Sequence, residues 1–264
     1  MKVHYKDWVI KKIIEKFGYL TLMLFGDTLV LDRWFWLRKK LPKTFDSEKL
    51  LDVGCGSGAF TIGLAKRGYR AIGLSWDEKN NKKAIERSKL VNAESVKFEK
   101  CDVRVLGDRK EFYSQFDVII CLENIEHIID DKKLIKSMTD CLKPGGHIYL
   151  TTPNLYYNPI SRHDMGPFEK IEDGRHVRRG YNKAMLEELC QHSKLEINSI
   201  EFCSGFLSQK ITKMHRYISK INKILSFIVT FPLRLFPILF DKYLTKLLDY
   251  PHYSICLSAY KKRD

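Results

Sequence analysis

Lys49-Leu50-Leu51-Asp52-Val53-Gly54-Cys55-Gly56-Ser57-Gly58-Ala59-Phe60 is the stretch that decides the fold. A short apolar run ends in a carboxylate, glycines follow at alternate positions, and a helical apolar pattern comes next. That order reads as strand, turn and helix, the opening unit of a nucleotide-binding α/β sheet. A turn without Cβ atoms leaves the strand sharply, lets a ligand approach the backbone, and brings the next helix close to the sheet. Asp52 then sits at the carboxyl end of its strand, where open α/β sheets bind ligands, facing the free amides of a helix N-terminus.

Outward from this unit the chain alternates between the two periodicities. Strands are predicted at Arg70–Ser75, Ser95–Lys100, Phe116–Cys121, His147–Thr151, Leu195–Cys203 and His252–Tyr260, with helices over Glu78–Val91, Asp131–Leu142 and Asn182–His192. Phe116–Cys121 is apolar almost throughout, as a strand covered on both faces requires. Lys143-Pro144-Gly145-Gly146 should stop the preceding helix. Ahead of the first strand lie two helical patterns, Val9, Ile13, Ile14 and Phe17, then Leu29–Leu41 with Trp34, Phe35, Trp36 and Leu37, closed by Pro42. Their aromatics either pack onto the sheet or cap a pocket. The chain thus divides into an N-terminal helical cap, 1–45, and a main domain, 46–264.

The glycines alone admit two ligand classes. Gly54, Gly56 and Ala59 satisfy the dinucleotide form G-x-G-x-x-A, but a carboxylate two residues before the first glycine disfavours a pyrophosphate and suits a cation. Asp52, Gly54, Gly56 and Gly58 together match E/D-x-G-x-G-x-G, and at this point the chain resembles the class I S-adenosylmethionine-dependent methyltransferases. The resemblance implies a Rossmann-like seven-stranded sheet with an antiparallel last strand, and Leu142–Gly146 matches the family's LKPGG segment. It implies a site for S-adenosylmethionine built by Asp52, Gly54, Cys55, Gly56, Ser57 and Gly58. Asp52 would face the ammonium, and Asp102 with Val103 after the third strand would face the adenine. Leu122 would close the fourth strand. Ser75, Trp76 and Asp77 stand where the family commonly has an acidic residue for the ribose; this departure resembles cyclopropane-lipid synthases and some polysaccharide-cluster methyltransferases.

Leu122-Glu123-Asn124-Ile125-Glu126-His127 follows the fourth strand. Enzymes of this family that methylate exocyclic amines usually carry Asn/Asp-Pro-Pro-Tyr/Phe here, and this chain does not. Its E-x-x-E-H arrangement resembles ubiquinone-pathway O-methyltransferases and small-RNA 2′-O-methyltransferases. The resemblance implies that Glu123, Glu126 and His127 hold a divalent metal such as Mg2+, with His163 or His176 as a further ligand. A hard cation there would lower the pKa of an acceptor hydroxyl. His176 and His163 lie in a long loop from Thr152 to about Tyr181, at the edge where an acceptor would be framed, and an imidazole there is a candidate base. Glu123, Glu126, His127 and His176 are therefore the candidate catalytic residues.

Seven cysteines are scattered with no C-x-x-C pair, as expected of reduced thiols in a reducing compartment. Met1–Lys16 is studded with charge and Leu20–Phe25 is short for a signal sequence, so cytoplasmic residence is the expectation. The net charge of +14 has a local source, because from Phe206 onward eleven lysines and arginines face three acidic residues. Between the last two strands lies an insertion, 207–248. Ile211, Met214, Ile218, Ile221 and Leu225 share one helical side and Lys213, Arg216, Lys220 and Lys223 another. Ile224–Phe240 is then apolar except for Ser226, Thr230 and Arg234, and is interrupted by Pro232 and Pro237. This reads as a segment lying in a membrane interface, or as an extra layer or dimer face. Three functions stay open: O-methylation of a lipid-linked or membrane-proximal acceptor, such as an isoprenoid phenol or an envelope glycan precursor; metal-assisted methylation of RNA 2′-hydroxyls; and a non-catalytic cofactor-binding scaffold.

Overall fold

The computed structural model describes residues 11–24 and 26–263, with His163 described through its backbone. The first ten residues of the expected cap, with Val9, and Phe25 lie outside the described residues. Seven strands, β1 (Lys49–Val53), β2 (Arg70–Ser75), β3 (Val96–Lys100), β4 (Phe116–Leu122), β5 (Leu142–Pro153), β6 (Leu195–Cys203) and β7 (Ser254–Lys261), form one sheet in the order β3-β2-β1-β4-β5-β7-β6. The first five are parallel, and β7 runs antiparallel to both β5 and β6, as the seven-stranded reading requires.

Strand β4 explains its own sequence. Ile119 and Cys121 point to one face, packing with Leu51, Leu150 and Leu257 under α6 (Asp131–Cys141) and α7 (Lys183–His192). Val118 and Ile120 point to the other, with Leu50 and Tyr149. A strand buried on both faces has no use for alternation.

The second face is closed by α3 (Thr28–Lys40), which follows the helical residues 11–17 (α1) and α2 (Leu20–Leu24), and by α4 (Ala59–Ala65). Asp27 starts α3 by accepting from the Val30 amide. Trp34, Trp36 and Leu37 are buried in the same cluster as the sheet. Helices α3 and α4 approach closely enough that a Cβ on Gly63 would stand 2.7 Å from the Trp34 ring. Helix α3 is thus a layer of the main core, and no core boundary falls at residue 45. The expected cap over a pocket is reduced to the few α3 side chains that reach the sheet's carboxyl edge.

Two expected boundaries move. Helix α6 ends at Cys141, and β5 starts at Leu142, so Lys143–Gly146 lies within a strand that pairs with β4 through a register shift rather than in a helix stop. Gly145 takes φ +79°, and it is this backbone reversal that the glycine supplies. In the insertion, α8 (Phe206–Ile221) ends before Asn222, whose side chain accepts from the Ile224 and Leu225 amides and starts α9 (Lys223–Thr230). Leu225 therefore does not continue the apolar side of α8. A turn at Pro232–Arg234 leads into α10 (Leu235–Leu247). This layer is fastened to the domain by ion pairs and caps: Arg234 donates to the carbonyls of Leu24 and Gly26, Arg216 meets Asp27 at 3.2 Å, and Asp241 accepts from the Gly205 and Leu207 amides at the start of α8.

Candidate active site

Gly54, Gly56 and Gly58 take φ of +89°, +51° and +77°, so the turn after β1 is built from left-handed backbone that L side chains rarely adopt. A Cβ on Gly58 would press into Phe98 and Ala84, so that residue sets how closely the start of α4 meets β3 and the helix carrying Ala84. A Cβ on Gly56 would meet nothing within 4 Å. It fronts open space, which makes the turn a cradle of the kind a bound methyl donor occupies. The cleft there, about 200 Å³, opens between Gly54 and Gly56, Ser75 and Trp76 at the end of β2, Asp102 to Arg104 after β3, and Glu123, Asn124 and His127 after β4. A wider groove of about 640 Å³ on the outer side of α5 (Glu78–Leu90) and β3, at Ser88, Asn92 and Phe98, holds none of these groups.

Eight expected residues thus line the cleft: Gly54, Gly56, Ser75, Trp76, Asp102, Val103, Glu123 and His127. Six others support the wall from behind. Asp52 is buried beneath the turn, where Oδ2 accepts from the Thr61 hydroxyl at 2.6 Å, and burial pushes its pKa up to about 7. Cys55 is buried, and burial raises its thiol. The Ser57 carbonyl accepts from Arg87 at 3.1 Å. Gly58 is the helix contact already described, Asp77 caps α5 by accepting from the Lys79 amide at 2.8 Å, and Leu122 packs into the core. Asp102 keeps its place on the wall but is held by Arg104, whose Nε lies 2.9 Å from both carboxylate oxygens; this hydrogen bonding lowers its pKa.

The acceptor side is built at the end of β4. Glu123 takes φ +51°, an uncommon conformation for a residue with a side chain. Its carboxylate turns toward α3, where Oε2 meets Arg33 Nη1 at 2.8 Å and Oε1 accepts from Ser254 Oγ at 3.3 Å. Burial works against the Arg33 charge, and Glu123 with Asp27 outweighs it. Glu123 is therefore withdrawn from the expected metal trio.

His176 takes its place. The Val177 amide donates to the Glu126 carbonyl at 3.0 Å, which draws the loop onto the turn Ile125–His127, and the His127 and His176 rings meet edge to face with centroids 4.6 Å apart. Ligand atoms of Glu126, His127 and His176 all lie within 4.8 Å of one another. Glu126 is fully buried; Oε2 accepts from the Thr152 hydroxyl at 3.1 Å, while Oε1 and His127 Nδ1 have no hydrogen-bond partner among the described residues. Burial, then the Glu123 charge, holds the Glu126 carboxyl well above the usual range. Burial, then His127, lowers the His176 pKa. The cluster is thus a polar pocket with open valences, fit to ligate a cation or to take a proton from a hydroxyl. One carboxylate with two imidazoles suits a borderline divalent ion better than Mg2+, which prefers all-oxygen sets. The His163 side chain lies outside the described residues.

Spacing alone missed the groups that close the cleft. Glu172 accepts from the Ile129 amide at 2.6 Å and pairs with Arg104 at 2.9 Å, and Arg178 donates to the carbonyls of Ile128 and Ile129, so residues 172–178 strap the loop across the opening. Asn80, Asn124 and Gly174 also line it. The one signal for these in the sequence is the density of charge in the loop.

A family model described as "Methyltransferase domain" matches residues 31–200. Ubiquinone biosynthesis O-methyltransferase of Marinobacter nauticus is 34% identical over 176 residues, covering 64% of this chain and 71% of that protein. The protein of the same name from Idiomarina loihiensis is 35% identical over 107 residues, 40% of this chain and 43% of its own length. The match therefore spans less than half of some of these relatives. Among solved structures, Haemonchus contortus phosphoethanolamine N-methyltransferase 2 in complex with S-adenosyl-L-methionine superposes with a TM-score of 0.62 at 17% identity, covering 96% of this chain and 60% of that one, a likeness of fold.

Proposed function

Because the chain belongs to the class I S-adenosylmethionine-dependent methyltransferases, its chemistry is methyl transfer, and we propose that the receiving atom is a hydroxyl oxygen of a lipid-linked or membrane-proximal small molecule, such as an isoprenoid phenol or an envelope glycan precursor. The observation that carries this reading is the cluster of Glu126, His127 and His176 at the cleft's edge, two of whose polar atoms, Glu126 Oε1 and His127 Nδ1, have no hydrogen-bond partner among the described residues. An oxygen acceptor needs its proton removed, and a neutral imidazole of lowered pKa beside a carboxyl is suited to remove it. The Asn/Asp-Pro-Pro-Tyr clamp that would hold an amine is missing from Leu122–His127. Bound S-adenosylmethionine supplies a methyl group already activated on a sulfonium. This chain's residues then chiefly align and desolvate the partners, with the glycine turn on one side and the Glu126 cluster on the other. A divalent ion held by Glu126, His127 and His176 would lower the acceptor's pKa.

RNA is the weaker reading of the same cluster. The cleft mouth carries Glu123, Asp102 and Glu172, whereas much of the chain's positive excess lies in the last segment. Seven free thiols, six of them buried, support a reducing compartment and so cytoplasmic residence. Two substitutions test the proposal. Glu126→Gln and His176→Ala should each lower turnover by about 100-fold or more while calorimetric binding of S-adenosylmethionine stays within about twofold. Turnover retained in both would overturn it.

A further inference from the structure

We propose that the outer surface of α8–α10 is a seat for an anionic lipid bilayer. The inference stands on an observation separate from the methyl-transfer site and does not require the acceptor to be a hydroxyl.

From α9 through α10 the layer is folded inside out. In α9, the turn after it and α10, Ser226, Thr230 and Arg234, the polar interruptions of an otherwise apolar run, are buried at 0%, 0% and 2% exposure, whereas Ile228, Leu235 and Leu239 are 63%, 64% and 73% exposed; in α8 the buried apolar residue is Ile211. A helix packed on a protein in water does the reverse. Single exposed apolar side chains are ordinary, but fifteen of the twenty-seven large exposed ones among the described residues fall between Tyr217 and Leu248. The layer cannot turn over to hide them, because its inner face is a specific polar network. His215 Nδ1 lies 2.8 Å from Ser226 Oγ and 3.1 Å from Thr230 Oγ1, Asp241 accepts from the Gly205 and Leu207 amides, and Arg234 is spent on the Leu24 and Gly26 carbonyls.

Charge selects the occupant. Lys213, Lys220, Lys223, Lys242 and Lys246 are exposed around the apolar surface, and Asp249 is the exposed acidic residue in the same segment. Long aliphatic stems with ammonium ends suit a headgroup layer, the stem in the apolar boundary and the charge on phosphate. Among the described residues no single helix is long and apolar enough to cross a membrane; Lys223–Thr230 and Pro232–Leu247 reach that composition only together, across a 43° bend. With both packed on α8 and the turn between them held by Arg234 to the Leu24 and Gly26 carbonyls, the segment lies along the interface. Its fastening also runs toward the site: Arg216 pairs with Asp27, which caps α3, and α3 carries Arg33 to Glu123. A bilayer on this face would place lipid-borne molecules beside the acceptor end of the cleft.

The test is flotation of the full chain with phosphatidylcholine vesicles made with and without phosphatidylglycerol. The intact protein should float with the anionic vesicles. The pair Leu235→Asp and Leu239→Asp should weaken this by at least about 100-fold. The pair Lys220→Gln and Lys223→Gln should cost about 30-fold on anionic vesicles and little on neutral ones. Retained calorimetric binding of S-adenosylmethionine shows that each variant is folded. Failure of the intact chain to bind anionic vesicles would overturn the proposal, as would undiminished binding by the aspartate pair. A concentration-dependent dimer abolished by that pair, without vesicle binding, would assign the face to a second copy instead.

Discussion

The methyl-transfer edge of the sheet and the helical layer between β6 and β7 sort their side chains by opposite rules. Behind the cleft, apolar residues of β1, β4 and β5 are buried and polar groups gather at the strand ends. In α9 and α10 the large apolar side chains face outward while Ser226, Thr230, Arg234 and Asp241 are inside. One physical principle gives both patterns once the surroundings differ, because apolar surface is driven out of water and has no such drive against a hydrocarbon boundary. The contrast also shows why Ser226, Thr230 and Arg234 matter: Ser226 and Thr230 bond to His215 and so hold α9 to α8, and Arg234 ties the layer to the domain at Leu24 and Gly26.

Substitution can break or sharpen this contrast. The largest effect is expected from Leu150→Ala in β5, which empties a fully buried site and should cost about 2–5 kcal/mol of unfolding free energy in urea titration. A cost below about 1 kcal/mol would mean that the sheet core is loosely packed.

Asp52→Asn should act in the other direction, and only at higher pH. Burial raises the folded pKa of Asp52 from 3.8 to about 7, so its stabilising contribution is complete below the unfolded value and is lost as pH rises through about 7. The amide keeps an acceptor for Thr61 and has no proton to lose. The variant should therefore be more stable than the parent by about 1–4 kcal/mol at pH 8, with the difference shrinking toward pH 4. Thermal unfolding across that range, without methyl donor, reads it. A gain of equal size at low pH would contradict the assignment. The smallest effect belongs to Leu239→Ala, which should change stability in lipid-free buffer by less than about 0.5 kcal/mol, since that side chain is 73% exposed. A loss comparable to that of Leu150→Ala would mean that the face is covered by protein in solution.

Much of the fold was legible from short-range signals. Strand, glycine turn and helix at Lys49–Phe60, the doubly buried β4 and the late return of β7 are local patterns whose spacing fixes them. The site was legible where a residue's role follows from its strand-end position, as for Gly56, Ser75, Asp102 and His127. It failed where long-range contacts decide. Glu123 fits the expected ligand spacing, but an arginine ninety residues earlier claims it, and nothing near either residue announces the pairing. His176, by contrast, is expected from the sequence as a further ligand, and the structure does bring it to Glu126 and His127, through a backbone hydrogen bond from Val177 that no local pattern announces. Asp77 and Ser57 stand in the right register for a ligand, and there Asp77 also caps α5 while the Ser57 carbonyl accepts from Arg87. Of the two readings left open for the α3 aromatics, packing on the sheet is the one the structure bears out; helical periodicity reveals an apolar face but not which surface meets it.

The most direct measurement follows a labelled methyl group from S-adenosylmethionine through incubation of the full chain with native cell extract, then through separation into organic-soluble, glycan and RNA fractions. Label in the organic-soluble or lipid-linked glycan fraction as an alkali-stable ether, absent with Glu126→Gln, is the expected result. Label confined to RNA, or none in any fraction despite calorimetric binding of the methyl donor, would contradict the proposed acceptor.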